Sequence, residues 1–90
     1  MYKPKNHKER VSHRLKIAKG HLEKVITMVD DNAYCIDVLH QSQAIQKALK
    51  EIDNLILEHH LATCAVKAIK EGKHTQAITE VMNVFKRKDV

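Results

Sequence analysis

The sequence has very few residues that interrupt helices and very few aromatic side chains. Its 90 residues include one proline, at position 4, and two glycines, at positions 20 and 72. Because proline and glycine are the poorest helix formers, their scarcity predicts long helices. There is no tryptophan, and the aromatic residues are two tyrosines and one phenylalanine. Three rings are too few for a platform that stacks the bases of a single strand.

The sequence also lacks long apolar runs. No stretch reaches the length of a membrane span, and the basic first ten residues lead into no apolar signal region. The sequence therefore predicts a cytoplasmic protein with no membrane partner. Hydrophobic residues make up 43% of the chain, which predicts one folded domain over residues 1–90. In a reducing compartment, the two cysteines are expected to be free thiols.

Positive charge is concentrated near the start of the chain. Residues 1–29 carry eight Lys and Arg against two acidic residues, whereas residues 30–90 carry eight against nine. Such a concentration of positive charge indicates a polyanionic partner, although a charged helix face that only contacts solvent is the plainer alternative. No helix-turn-helix, zinc-finger or basic-zipper signature is present, so DNA would be bound by basic surface summed over subunits. The candidate DNA contacts are Arg10, Arg14, Lys16 and Lys19, followed by Lys47 and Lys50.

The spacing of apolar residues predicts three helices, over about 7–29, 33–70 and 75–88. Residues 30–32 are expected to end the first helix and to cap the start of the second, and Gly72 to end the second. A 38-residue helix is about 57 Å long, too long for a compact monomer whose radius of gyration would be about 12 Å. The prediction is an all-α, three-helix protomer whose long helices form an antiparallel bundle with a second chain.

Three soft donor residues lie on the predicted second helix. His60 and Cys64 are four residues apart, so their side chains share one face. Cys35 lies roughly 37 Å away along the same helix axis. An antiparallel second copy, related by a two-fold axis near Ala48, would place Cys35 of one chain beside His60 and Cys64 of the other. This symmetry predicts two equivalent sites per dimer.

Two thiolates and one imidazole suit Cu(I), which accepts three ligands, and would also attract Zn(II). A structural zinc site usually has four ligands, and three are evident here. The plainer alternative is that each helical cysteine is a small buried hydrophobe. No arrangement of nucleophile, base and oxyanion donors accompanies these residues, so the sequence does not predict an enzyme.

One set of residues along the first two predicted helices forms a pattern: Arg14, Leu15, Gly20, the segment 34–39, Gln41, Ala44, Ala48, Leu49, Leu57, His60 and Cys64. In these residues the chain resembles the copper-sensing operon repressor (CsoR) family, which shares a fold with the nickel/cobalt-sensing RcnR and formaldehyde-sensing FrmR repressors. The resemblance implies a dimer of dimers that binds double-stranded operator DNA. It also implies that Cu(I) lowers operator affinity and derepresses copper efflux genes. Tyr34 and Glu80 fall where the family places residues around the metal ligands that couple metal binding to DNA release.

Other inducers on the same scaffold are the alternatives, together with a metal-buffering oligomer that has no DNA role. Cys64 and Lys3 argue against a nickel/cobalt sensor, and His60 argues against a persulfide sensor. Pro4 is not at the second position, where formaldehyde sensors have it. His21 stands where many members have Gln, and it is expected at the surface or near DNA together with His7 and His13.

Overall fold

The structure, a computed structural model, describes residues 5–87, and these are almost entirely helical. Helix α1 spans His7–Asp30 and helix α2 spans Cys35–His60. A π-helical turn over Leu61–Ala65 leads into a short α3, Val66–Lys70, and α4 spans His74–Lys86. The predicted all-α fold is confirmed. No helix within residues 5–87 combines the length and the apolar character that a bilayer crossing requires.

The predicted bounds agree with the first helix to within one residue, whereas the third helix ends before its predicted end and the second is interrupted. The predicted second helix is in fact α2, the π-helical turn and α3 in succession, and it begins at Cys35 rather than Ala33. The predicted third helix corresponds to α4, which ends at Lys86. Its predicted last residue, Lys88, lies outside the described residues, as do Lys3 and Pro4.

The start of α1 is capped by a side chain. Asn6 lies just before the helix, and its Oδ1 accepts a hydrogen bond of 2.8 Å from the backbone N–H of Glu9. This bond satisfies one of the N–H groups that a helix start leaves without a partner.

Both long helical segments end in the same hydrogen-bonded motif. At the end of α1, the N–H of Ala33 bonds the carbonyl of Met28, and the N–H of Asn32 bonds that of Val29. Asn32 has a φ of 58°, a left-handed conformation that asparagine tolerates. The prediction that residues 30–32 cap α2 was wrong. These residues close α1 instead, and the residue that precedes α2 is Tyr34, whose carbonyl accepts from Val38 N–H.

The second such ending follows α3. The N–H of Lys73 bonds the carbonyl of Ala68 at 2.8 Å, and the N–H of Gly72 bonds that of Ile69 at 3.0 Å. Gly72 has a φ of 82°, which glycine adopts without the clash that a Cβ would cause. The prediction that Gly72 ends this helical segment is therefore confirmed.

The chain divides into two compact units between Ile56 and Leu57. In the first unit, α1 and α2 form an antiparallel hairpin through the short connection 31–34. His21 Nε2 lies 2.7 Å from Gln41 Oε1, and these residues are equally distant in sequence from position 31. The buried residues of the hairpin are Ala18, Val25, Ile45 and Ile52.

The second unit contains the π-helical turn, α3 and α4. Its buried residues are Ala65 and Ala77, small side chains that allow close approach of the turn and α4. Beside them lies an apolar groove lined by Leu61, Ile69, Ile78, Val81 and Met82.

The described part of the chain buries few large side chains. Its buried core consists of six residues, of which three are alanine. By contrast, seventeen large hydrophobic residues are exposed. An exposed apolar surface of this extent marks an interaction surface in a helical protein. The prediction of one domain over residues 1–90 stays a prediction.

Candidate metal centre

Cys35 is the first residue of α2. It follows the connection 31–34, where the chain reverses direction after α1. Its thiol is free and its side chain is exposed. Cys64 is also a free, exposed thiol, so the prediction of two free thiols is confirmed. Both sulfurs are accessible to an ion or to another chain.

His60 and Cys64 lie on either side of a change in helix geometry. His60 is the half-buried last residue of α2, and Cys64 lies inside the π-helical turn. A π-helical turn is closed by i→i+5 hydrogen bonds, and such turns occur frequently at functional sites. The sequence predicted both residues on one regular α-helix. That detail was wrong, because the segment between them is π-helical.

Thr63 contacts the sulfur of Cys64, and sequence reasoning missed it. The Thr63 hydroxyl donates a hydrogen bond of 2.7 Å to the carbonyl oxygen of His59, one turn earlier. The same oxygen lies 3.8 Å from Cys64 Sγ. A threonine four residues after a helical carbonyl commonly makes this backbone bond, so the position of Thr63 after His59 was the available signal.

The donor set fits a soft monovalent metal ion. Cys35, His60 and Cys64 supply two sulfurs and an imidazole nitrogen, which is the ligand chemistry that Cu(I) prefers. Within residues 5–87 of a single chain, no three His, Cys, Asp or Glu side chains form a group that could hold a metal.

Tyr34 and Glu80 are accessible in the described chain. Tyr34 precedes Cys35 and is 66% exposed. Glu80 is exposed on α4, in the same unit as His60 and Cys64. Their predicted role around the metal stays a prediction.

All six predicted DNA-contacting residues are exposed and belong to the first unit, four on α1 and two on α2. The four residues on α1 do not share one face of that helix. Arg10 and Arg14 are one turn apart on the same face, whereas Lys16 and Lys19 lie about 160° and 140° around the helix from Arg14. Lys47 and Lys50 are three residues apart on α2 and are neighbours on its surface. The basic surface of α1 thus has two sides.

His21 differs from the expectation of a surface or DNA-proximal residue. It is half-buried, and its ring nitrogen bonds Gln41 across the hairpin. An imidazole at this position therefore links α1 to α2. The equal spacing of His21 and Gln41 from the chain reversal was the signal in the sequence.

Comparison with known proteins places this arrangement in a family. Residues 7–87 match the family described as metal-sensitive transcriptional repressor. The match covers all four helices and the three candidate ligands. The chain belongs to the metal-sensitive transcriptional repressor family. As a member, it is a repressor that acts on DNA and is not an enzyme.

Two bacterial relatives of this repressor bear the name of a copper sensor. It is 37% identical over 86 residues to the copper-sensing transcriptional repressor CsoR of Bacillus subtilis (strain 168), covering 96% of this chain and 85% of that one. It is 39% identical over 74 residues to CsoR of Mycobacterium ulcerans (strain Agy99), covering 82% of this chain and 63% of that one.

A solved structure also resembles this repressor. The crystal structure of the copper-sensing repressor CsoR with Cu(I) from Geobacillus thermodenitrificans NG80-2 has a TM-score of 0.86 and 42% sequence identity. The alignment covers 96% of this chain and 90% of that one. The helical architecture described above is therefore that of the repressor family.

Proposed function

We propose that this protein is a cytoplasmic, Cu(I)-responsive transcriptional repressor. The metal-free protein binds double-stranded operator DNA and represses copper efflux genes. Cu(I) binds between two subunits, to Cys35 of one chain and to His60 and Cys64 of the partner subunit. Copper binding lowers operator affinity, and the genes are derepressed.

The positions of Cys35 and His60 at the two ends of α2 carry the proposal. An α-helix rises about 1.5 Å per residue, so 25 residues separate its ends by roughly 37 Å. One ion cannot reach both ends of one helix. Two antiparallel copies of α2 would bring opposite ends together and create two equivalent sites.

An exposed apolar stripe on α1 supports this assembly. Leu15, Leu22, Ile26 and Val29 fall within a sector of about 60° on the helix, and they are 44–56% exposed. Further exposed apolar residues of α2 are Ile36, Leu39, Leu49 and Ile56. Burial of these side chains against a second chain would supply the core that the hairpin lacks. We propose an antiparallel dimer and a dimer of dimers as the complete repressor.

Relatives and charge support the choice of DNA and copper as partners. The relatives described above are copper-sensing repressors, and one has been crystallised with Cu(I). The exposed basic residues of α1 and α2 offer charge-assisted bonds to phosphates from several subunits at once. Tyr34, next to Cys35, and Glu80 are proposed to connect the metal site to the rest of the subunit during DNA release.

The direct test is operator binding with and without Cu(I), under anaerobic and reducing conditions, on the promoter DNA beside the protein's own gene. We expect retardation by the metal-free protein and release by one equivalent of Cu(I) per subunit. Cys35→Ala should bind the same DNA but should no longer release it with Cu(I). Circular dichroism should show that the variant keeps its helices.

The other outcomes identify the alternatives. Release by Zn(II), Ni(II), Co(II), a persulfide donor or formaldehyde, but not by Cu(I), would indicate a different inducer on the same scaffold. Tight Cu(I) binding without retardation of any promoter fragment at low salt would indicate a metal-buffering oligomer.

A further inference from the structure

The contact between Thr63 and Cys64 carries an inference about how the metal ligand is held. The Thr63 hydroxyl has one proton and two acceptors within reach, the carbonyl oxygen of His59 at 2.7 Å and Cys64 Sγ at 3.8 Å. A hydroxyl proton rotates about its C–O bond and can serve one acceptor at a time. Which acceptor receives the proton depends on the electron density at the sulfur.

The Thr63 hydroxyl lies in a part of the backbone with unusual hydrogen bonding. Thr63 is the central residue of the π-helical turn Leu61–Ala65. Its own carbonyl accepts a hydrogen bond from the N–H of Val66, so both its side chain and its main chain take part in the bonding of this turn. The hydroxyl thus lies beside Cys64 while it bonds the backbone of the preceding turn.

We propose that Thr63 is a positioning residue for Cys64, an inference that rests on the proposed function. In the metal-free protein its hydroxyl proton bonds the His59 carbonyl. A metal-bound cysteine sulfur is a thiolate, and it competes for that proton. The hydroxyl then rotates to donate to Cys64 Sγ, which orients the sulfur and stabilises its charge, as hydrogen bonds around metal ligands commonly do.

Two substitutions separate the hydroxyl from the rest of the side chain. Thr63→Val keeps the branched shape and removes the donor, whereas Thr63→Ser keeps the donor and removes a methyl group. Thr79→Val is the matched control, because the Thr79 hydroxyl makes the same bond to the carbonyl of Thr75, at 2.8 Å, on exposed α4. Thr79 has no cysteine beside it in the sequence.

The first measurement is Cu(I) affinity, by anaerobic competition with a Cu(I) chelator. We expect Thr63→Val to bind Cu(I) about tenfold more weakly, the lower end of the loss seen when a partner of a metal ligand is removed. Thr63→Ser and Thr79→Val should stay close to the wild-type affinity. Circular dichroism of the metal-free variants should show unchanged helix content.

The second measurement needs no metal. Metal-free protein is alkylated with iodoacetamide, and the modification of Cys35 and Cys64 is followed separately by peptide mass spectrometry. The thiolate that reacts with iodoacetamide competes for the Thr63 proton as a metal-bound thiolate does, so loss of the donor in Thr63→Val should change the alkylation rate of Cys64 about threefold. Cys35 is the internal control and should react at the wild-type rate.

The two measurements separate failure of this inference from failure of the proposed function. Equal Cys64 alkylation in Thr63→Val and wild type would overturn the inference, as would loss of Cu(I) affinity in Thr63→Ser equal to that in Thr63→Val. A wild-type protein that binds no Cu(I) would instead contradict the proposed copper response. In that case the alkylation rates would still decide whether Thr63 donates to Cys64.

Discussion

At the scale of single residues, the exposed arginines of α1 offer the clearest test of whether DNA binding and metal binding depend on different residues. Arg14→Ala should weaken operator binding at least about tenfold and reduce the steepness of log affinity against log salt by about 1 for each subunit whose Arg14 contacts a phosphate, because each such contact is lost. Cu(I) affinity should not change. Fluorescence anisotropy over a series of salt concentrations measures both quantities. Lys67→Ala, which removes an exposed charge from α3, is the control and should leave both unchanged.

Residue types were easier to predict than residue contacts. The chemistry of Cys35, His60 and Cys64 follows from their donor atoms alone, so the sequence sufficed to propose a soft metal site. The bonds of His21 to Gln41 and of Thr63 to His59 depend on where helices turn and change pitch. Apolar spacing does not report those local positions, and neither bond was predicted.

At the scale of helices, the sequence predicted where helical segments end better than it predicted the change from α-helix to π-helix inside one of them. Gly72 marks the end of α3 because a positive φ favours glycine. Between Ala33 and Lys70 there is no proline or glycine to indicate a break. The π-helical turn at Leu61–Ala65 changes the hydrogen-bond partners without a special residue type, and apolar periodicity therefore read the segment as continuous.

The two glycines allow a test of the helix ends. Gly72→Ala should lower the free energy of unfolding by about 1 kcal/mol, because alanine is strained in the left-handed conformation. Gly20→Ala is the control, and it is expected to have the opposite effect on stability. Gly20 lies within α1 and a Cβ there meets no atom within 4 Å, so alanine should stabilise the helix by roughly 0.5–1 kcal/mol. Urea unfolding at one fixed protein concentration measures both. Equal effects of the two substitutions would contradict the assigned role of Gly72.

At the scale of the whole molecule, the small core and the exposed apolar helix faces support the same proposal as the ligand spacing, namely that a second chain packs against the first. Six buried residues, three of them alanine, give one chain little hydrophobic stabilisation. The sequence anticipated this from the length of its second helix, since a long amphipathic rod needs neighbours. Apolar stripes do not specify the direction of a partner chain. The sequence predicted the antiparallel direction from the positions of Cys35, His60 and Cys64 along the helix, and that direction stays a prediction.

Mixing two inactive variants tests the shared site directly. Cys35→Ala and Cys64→Ala should each lose tight Cu(I) binding, yet a mixed dimer retains one complete site, made from the unaltered halves of the two chains. Random exchange of subunits makes half of the dimers mixed, so the mixture should recover about one quarter of the wild-type copper capacity. Anaerobic titration after joint unfolding and refolding measures this recovery. Cys64→Ala mixed with His60→Ala is the control, since both substitutions damage the same half-site and no pairing completes a site. Recovery in the control, or none in the first mixture, would show that the three donors are not divided between antiparallel chains.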